Sequence, residues 1–229
     1  MLIGKRRGNT LFWLQLICMS ICMLVEVFTV GMLSTNCYVA SSPETKEAII
    51  IDPGIDFSSE ANPISDYIAT QKLNVKFIVN THGHDDHIKG DELFQKKYKI
   101  PICIHKLDEH FIKDLEKTKF SPNLLLKEGS LIKVGNETLK VLHTPGHTLG
   151  SICLVGEKLV FTGDTLFAGG IGRTDFPGGS MSDMRNSLKK LMELPLNLLV
   201  YPGHGESSII VEEKRSNPFL NSKNEAEFF

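Results

Sequence analysis

The sequence lacks most of the features that would take it out of the ordinary globular class. Its 229 residues carry no internal repeat and no low-complexity segment, which excludes solenoid and disordered-array architectures. The net charge is only −2 at pH 7. No global basic field gathers nucleic acid, so a nucleic-acid partner is not expected. The five cysteines contain no Cys-x-x-Cys pair. Cys37, Cys103 and Cys153 sit inside apolar, β-branched stretches and read as buried reduced thiols, which implies a reducing, cytoplasmic compartment.

The sequence also has no uninterrupted apolar run of full membrane-spanning length. Lys5, Arg6 and Arg7 precede an apolar run from Leu11 to Val25 that is broken by Gln15 and Ser20. This has the order of an export signal, yet it falls short of the ~20 residues that cross a bilayer. No Ala-x-Ala site separates it from Val25–Val30, which reads as a strand. Residues 1–22 are therefore read as an apolar extension with two competing explanations. Either they precede a natural start at Met23 or form a disordered extension, or they form a signal or membrane anchor. Membrane contact or export is expected only through them, and residues 23–229 are expected to form one domain.

What is present suits a loop-rich α/β protein. Hydrophobic residues make up 41% and charged residues 23%, enough for one sizeable core, while 19 Gly and 10 Pro supply turns. Strands are expected at Val25–Val30, Cys37–Ala40 and Ala48–Asp52, the last stopped by Asp52-Pro53-Gly54. Asn62–Leu73 has helical spacing, with Asn62 as a cap and Pro63 at the first helical position. Val75–Val79 is continuously apolar, as a strand buried on both faces would be. Helices at Asp91–Tyr98 and Lys106–Lys117 are expected to flank a strand at Ile102–Ile104. Leu131–Val134 and Thr138–Leu142 read as a hairpin around Gly135-Asn136. Ser151–Val155, Leu159–Thr162 and Leu198–Tyr201 read as strands and Ser182–Leu194 as a helix, before a polar tail from Val211 with one short helical turn. Two mixed sheets packed together under outer helices satisfy this order.

The chemistry concentrates in histidine. Of eight histidines, His82, His84 and His87 share one short run, Thr81-His82-Gly83-His84-Asp85-Asp86-His87, directly after an expected strand. His-x-His-x-Asp-His at a strand end gathers imidazole and carboxylate ligands in one loop, and Gly83 lets the backbone turn so that the rings converge. Such donors suit zinc or iron, with a position left open for water. His147 (in HTPGHT), Asp164 (in TGDT) and His204 (in PGHG) also follow expected strands, each directly after a glycine. His105, His110 and His143 have no such context and read as structural or solvated.

Taken in order, THGHDDH, HTPGHT, GDT and PGHG resemble the metallo-β-lactamase superfamily. The stretch Gly163–Gly179 with Gly172-Arg173-Thr174-Asp175-Phe176, the opening TNCYVA (Thr35–Ala40) and the closing EEKRSNPF (Glu212–Phe219) are similar to glyoxalase II-like hydrolases. The resemblance covers about Val25 to Leu220. It implies an αββα sandwich of two mixed β-sheets, with His82, His84 and His147 holding one metal. Asp86, His87 and His204 would hold a second, and Asp164 would bridge them. The implied cofactors are two divalent ions, zinc first and iron or manganese as alternatives. The implied reaction is attack of a metal-bridging hydroxide on the carbonyl of a small-molecule thioester such as an acylglutathione, with Asp86 also orienting the water.

The longer glyoxalase II enzymes carry a helical C-terminal domain that supplies basic contacts to glutathione, whereas 25 residues follow His204 in this sequence. Arg173 is the candidate for an anionic substrate group, against the alternative of an ion pair with Asp175. Lys214 and Arg215 are weaker candidates. The rival function is a persulfide dioxygenase-like oxygenase with one iron on His82, His147 and Asp164. A nuclease and a non-catalytic binder on the same scaffold are disfavoured, the first by the missing basic patch and the second by the full ligand set.

Overall fold

The computed structural model describes residues 22–114 and 124–220. Two six-stranded sheets lie face to face. The first contains β1 (Leu24–Val30), β2 (Thr35–Ser41), β3 (Glu47–Ile51), β4 (Asn74–Val79), β5 (Ile102–His105) and β6 (Leu124–Leu126), side by side in that order. The second runs β7 (Leu131–Val134), β8 (Glu137–His143), β9 (Ile152–Val155), β10 (Leu159–Gly163), β11 (Leu199–Pro202) and β12 (Ser208–Ile209). Hairpin-connected neighbours are antiparallel, while β3–β4, β4–β5, β5–β6 and β10–β11 are parallel. Parallel pairing requires crossovers, and helices supply them on the outer faces.

Alternation along the strands builds three layers of core. Tyr38, Ala40, Ile49, Ile51 and Val79 of the first sheet meet Val141, Leu154 and Phe161 of the second between the sheets. Their neighbours Cys37, Val39, Ile50 and Ile78 face outward under α1 (Ala61–Thr70), α3 (Asp91–Tyr98) and α4 (Glu109–Asp114), through Ile64, Ile68, Phe94 and Ile112. On the opposite side Cys153, Val160 and Val200 pack against Met184, Leu188 and Leu191 of α5 (Met181–Met192) and Ile210 of α6 (Ile210–Ser216). Strands buried on both faces explain the continuous apolar runs in the sequence. The result is the expected αββα sandwich, and Cys37, Cys103 and Cys153 are buried free thiols.

Several boundaries differ from expectation. The first helix starts at Ala61 as a continuation of a 3-10 turn at Ser58–Glu60, so Asn62 lies inside it and does not cap it. Helix α5 does have a side-chain cap: Ser180 Oγ accepts from Asp183 N at 3.2 Å. The His-x-His-x-Asp-His run closes into a four-residue helix, α2 (Asp85–Ile88). Strands β6 and β12 were not expected, because three and two residues are too short to show a period. The helix expected at Lys106–Lys117 starts later, as α4, because Lys106–Asp108 form a turn; residues 115–117 lie outside the described residues, as do residues 1–21. No helix among the described residues is long and apolar enough to cross a membrane.

Candidate metal centre

The ligand loops all leave the C-terminal ends of strands: His82 and His84 after β4, His147 after β8, Asp164 after β10 and His204 after β11. Antiparallel bridging of Thr35 to His204 and the bond from Ile152 N to Thr81 O tie the two sheets together at this rim. The TNCYVA strand contributes directly. Asn36 N donates to Gly203 O at 2.8 Å and Asn36 Nδ2 to Pro202 O at 3.1 Å, while Tyr38 Oη donates to Pro202 O at 2.6 Å.

At the rim, His82, His84 and His147 form one cluster of potential ligands, and Asp86, His87 and His204 form a second. Asp164 stands between them: Oδ2 is 3.4 Å from His147 Nε2 and 3.5 Å from His204 Nε2, and Oδ1 is 3.5 Å from His87 Nε2. His84 Nδ1 is 2.9 Å from His147 Nε2, and His87 Nε2 is 3.3 Å from His204 Nε2. All seven side chains singled out in the sequence as metal ligands therefore converge.

The opposite ring nitrogens are anchored to the protein, which fixes the tautomers. His147 Nδ1 donates to Arg173 O at 2.7 Å, and His204 Nδ1 donates to Leu33 O at 3.1 Å. Buried Asp52 organises two more rings, those of His82 and His87. Its carboxylate accepts from Thr81 N and Thr81 Oγ1, both at 2.7 Å, and contacts His87 Nδ1 at 3.0 Å. The Thr81 hydroxyl in turn lies 3.2 Å from His82 Nδ1. Thr35 Oγ1 donates to Asp86 Oδ2 at 3.0 Å. Asp52 appeared in the sequence only as a strand terminator. Nothing local marks it as part of the site, because it reaches the histidines through sheet pairing.

The electrostatics suit cations. Burial, reinforced by neighbouring histidines, holds His82 well below the usual imidazole range and pushes His84 down to about 4. Burial alone would also lower His204, but its hydrogen bonds to Asp164 and Asp86 push it up to about 10. Asp86 and Asp164 are held below the usual carboxylate range. Burial opposes this, yet the charge and hydrogen bonds of His87 and His204 outweigh it. His82 Nε2 and Asp164 Oδ1 are fully buried without a hydrogen-bond partner. Orphaned lone pairs cost free energy unless a cation takes them, so this donor set fits divalent metals.

Aromatic rings border the centre. Phe111 and Phe176 meet the His84 ring edge-on at 5.5 and 5.8 Å, and Phe167 meets His204 at 6.0 Å. Gly83 does not have a left-handed backbone. It is needed because a Cβ there would strike Phe111, just as one at Gly203 would strike Asp164 and His87. The Arg173 guanidinium pairs with Asp175 in two bonds of 2.8 and 2.9 Å and lies 4.1 Å over the Phe176 ring. The closing EEKRSNPF segment clamps the loop after Asp164. Asn217 Nδ2 reaches Phe167 O, Gly170 O and Glu213 Oε2, and Gly169 N donates to the same Glu213 oxygen. Of the remaining histidines, buried His105 stacks on His143 at 4.2 Å, and His110 is exposed.

Seven converging ligands in two clusters, at one edge of an αββα sandwich, define a metal-dependent hydrolase scaffold. The chain belongs to the metallo-β-lactamase superfamily, whose family model matches residues 30–204. Among its relatives, the "Hydroxyacylglutathione hydrolase GloC" of Haemophilus influenzae is 36% identical over 216 residues, covering 88% of this chain and 100% of the relative. The solved BLEG-1 B3 metallo-β-lactamase superposes with a TM-score of 0.79 at 31% identity, covering 87% of this chain and 100% of that one. TTHA1623, solved in a di-iron-bound form, superposes with a TM-score of 0.71 at 31% identity, covering 85% and 100%.

Proposed function

We propose that this metallo-hydrolase cleaves small-molecule thioesters of the acylglutathione type. The observation that carries the reading is the complete pair of ligand clusters joined by Asp164, in a chain that also has the TNCYVA, GRTDF and EEKRSNPF segments of glyoxalase II-like hydrolases. The full-length similarity to a relative named hydroxyacylglutathione hydrolase supports it.

The chain supplies the following. His82, His84 and His147 would hold one divalent ion, Asp86, His87 and His204 the other, and Asp164 both, with zinc the first expectation. Such ions, when bound, supply Lewis acidity that lowers the pKa of water from 15.7 toward ~7 and polarises a carbonyl. Asp52, Leu33 O and Arg173 O keep the imidazole lone pairs aimed at the centre. Asp86, fixed by Thr35, holds a carboxylate at the mouth that accepts a hydrogen bond from the attacking water and orients it. Phe111, Phe176 and Phe167 keep the surroundings apolar, which strengthens these interactions. A thiolate leaves without being protonated, so the reaction demands no strong general acid.

The test is a thioester panel including S-lactoylglutathione, with metal content measured on the same sample. Thioester hydrolysis with two metals per chain is expected. A single iron together with oxygen consumption on glutathione persulfide would establish the oxygenase reading instead, and turnover of a β-lactam alone would overturn the substrate class.

A further inference from the structure

Asp108 stands immediately before α4, where an acidic side chain ordinarily caps the helix. Both its oxygens are instead used elsewhere. Oδ2 accepts from Gly83 N at 3.0 Å and from Thr148 Oγ1 at 2.6 Å, and Oδ1 accepts from Gly150 N at 2.7 Å. The side chain is fully buried, and the Cβ of any other residue at position 150 would run into it. Gly83 lies between His82 and His84. Thr148 follows His147, and its hydroxyl is also 2.7 Å from Ser151 Oγ. One carboxylate thus joins the two loops that carry the first ligand cluster, and none of its bonds reaches Asp86, His87 or His204.

We infer that Asp108 is a positioning residue for the first metal alone, setting the distance between the His82/His84 loop and the His147 loop. Asp52 differs in serving both clusters, through Thr81 beside His82 and directly at His87. The physical argument is preorganisation: three donors converging on a buried carboxylate hold both loops before any metal arrives, so the ligands need not be gathered on binding. In Asp108→Asn an amide N–H would face a backbone N–H or the Thr148 hydroxyl, and the loops would separate.

The inference depends on the metal centre but not on the thioester reading, and it is tested without substrate. Cobalt(II) affinity is measured by chelator competition and by visible absorption in two full-chain backgrounds. His204→Ala cripples the second cluster and isolates the first, and His84→Ala does the reverse. Asp108→Asn is expected to weaken cobalt binding roughly ten- to a hundredfold in the His204→Ala background and to leave the His84→Ala background within about twofold. Thr148→Val, which removes one donor and fills the same volume, should produce a smaller loss in the same background only, and it decides the matter if the Asn variant does not fold. Equal losses in both backgrounds would reduce Asp108 to a general structural role, and no loss in the first background would overturn the inference.

Discussion

His84 Nδ1 and His147 Nε2 lie 2.9 Å apart although the two residues are 63 positions apart in the chain. Two imidazole nitrogens at that distance either share one proton or both direct lone pairs at a cation. Burial pushes His84 down to about 4, so at neutral pH this cluster offers lone pairs. The second cluster behaves oppositely. Its carboxylates push His204 up to about 10 and retain a proton there. The two halves of the centre therefore meet a metal in different protonation states.

Metal loading is expected to release about one proton per chain from the second cluster at neutral pH, because a coordinating His204 must give up the proton its carboxylates hold. Calorimetric titration of the chelator-treated protein in two buffers of different ionisation enthalpy measures this number. An enthalpy independent of the buffer would contradict it.

The same shifts give the metal-free protein a pH profile of definite sign. His204 has a folded pKa above its usual 6.5, so its contribution is complete below 6.5 and is lost as pH rises through about 10. Asp86 and Asp164 are held low, so their contributions are present above the usual 3.8 and are lost as acid protonates them. His82 and His84 are held low, so their contributions are complete only above 6.5 and are lost as pH falls toward about 4. The melting temperature of the metal-free protein should therefore peak near pH 6.5 and fall on both sides. The loaded protein should lose stability on acidification, since protons compete for its ligands, but should lack the alkaline fall. Thermal melts across pH with and without chelator check this, and parallel profiles would refute it.

Asp164→Ala removes the one carboxylate shared by both clusters. Hydrolysis is expected to fall by about a thousandfold or more, with both metals weakened. The metal-free fold should change by only ~1–2 kcal/mol, because this carboxylate anchors no backbone group in the described structure. Turnover of S-lactoylglutathione within a few-fold of the parent protein would eliminate the bridging role.

Arg173 is engaged by Asp175, but the two side chains are 63% and 66% exposed. Exposed pairs are worth little, so an anionic substrate group can exchange with Asp175. Arg173→Ala is expected to raise KM for glutathione thioesters several-fold with little change in kcat, from a parent KM in the upper part of the usual 1 μM–1 mM range. Steady-state kinetics decide it. An unchanged KM in the variant would leave Arg173 as a loop-stabilising residue.

The layers and the ligands were legible because their signals are local. Continuous apolar runs such as Val75–Val79 announce strands buried on both faces, and the His-x-His-x-Asp-His spacing places ligands without knowledge of the rest of the fold. Short elements escaped. Leu124–Leu126 and Ser208–Ile209 become strands through pairing with β5 and β11. Asn62, a good cap by type, was bypassed because the 3-10 turn at Ser58–Glu60 runs straight into the helix.

By itself the sequence determined the chemistry: imidazole and carboxylate donors after strand ends, enough for two cations. Tertiary structure decided how those donors are held. Asp52 lies 35 positions before His87, and Asp108 lies 39 before His147. Neither stands in a motif, and each acts only because the sheets bring it beside the loops it serves. Ligand identity depends on what a side chain is, which is written along the chain. Ligand orientation depends on which buried donors and acceptors meet across it, and only the packed fold sets that.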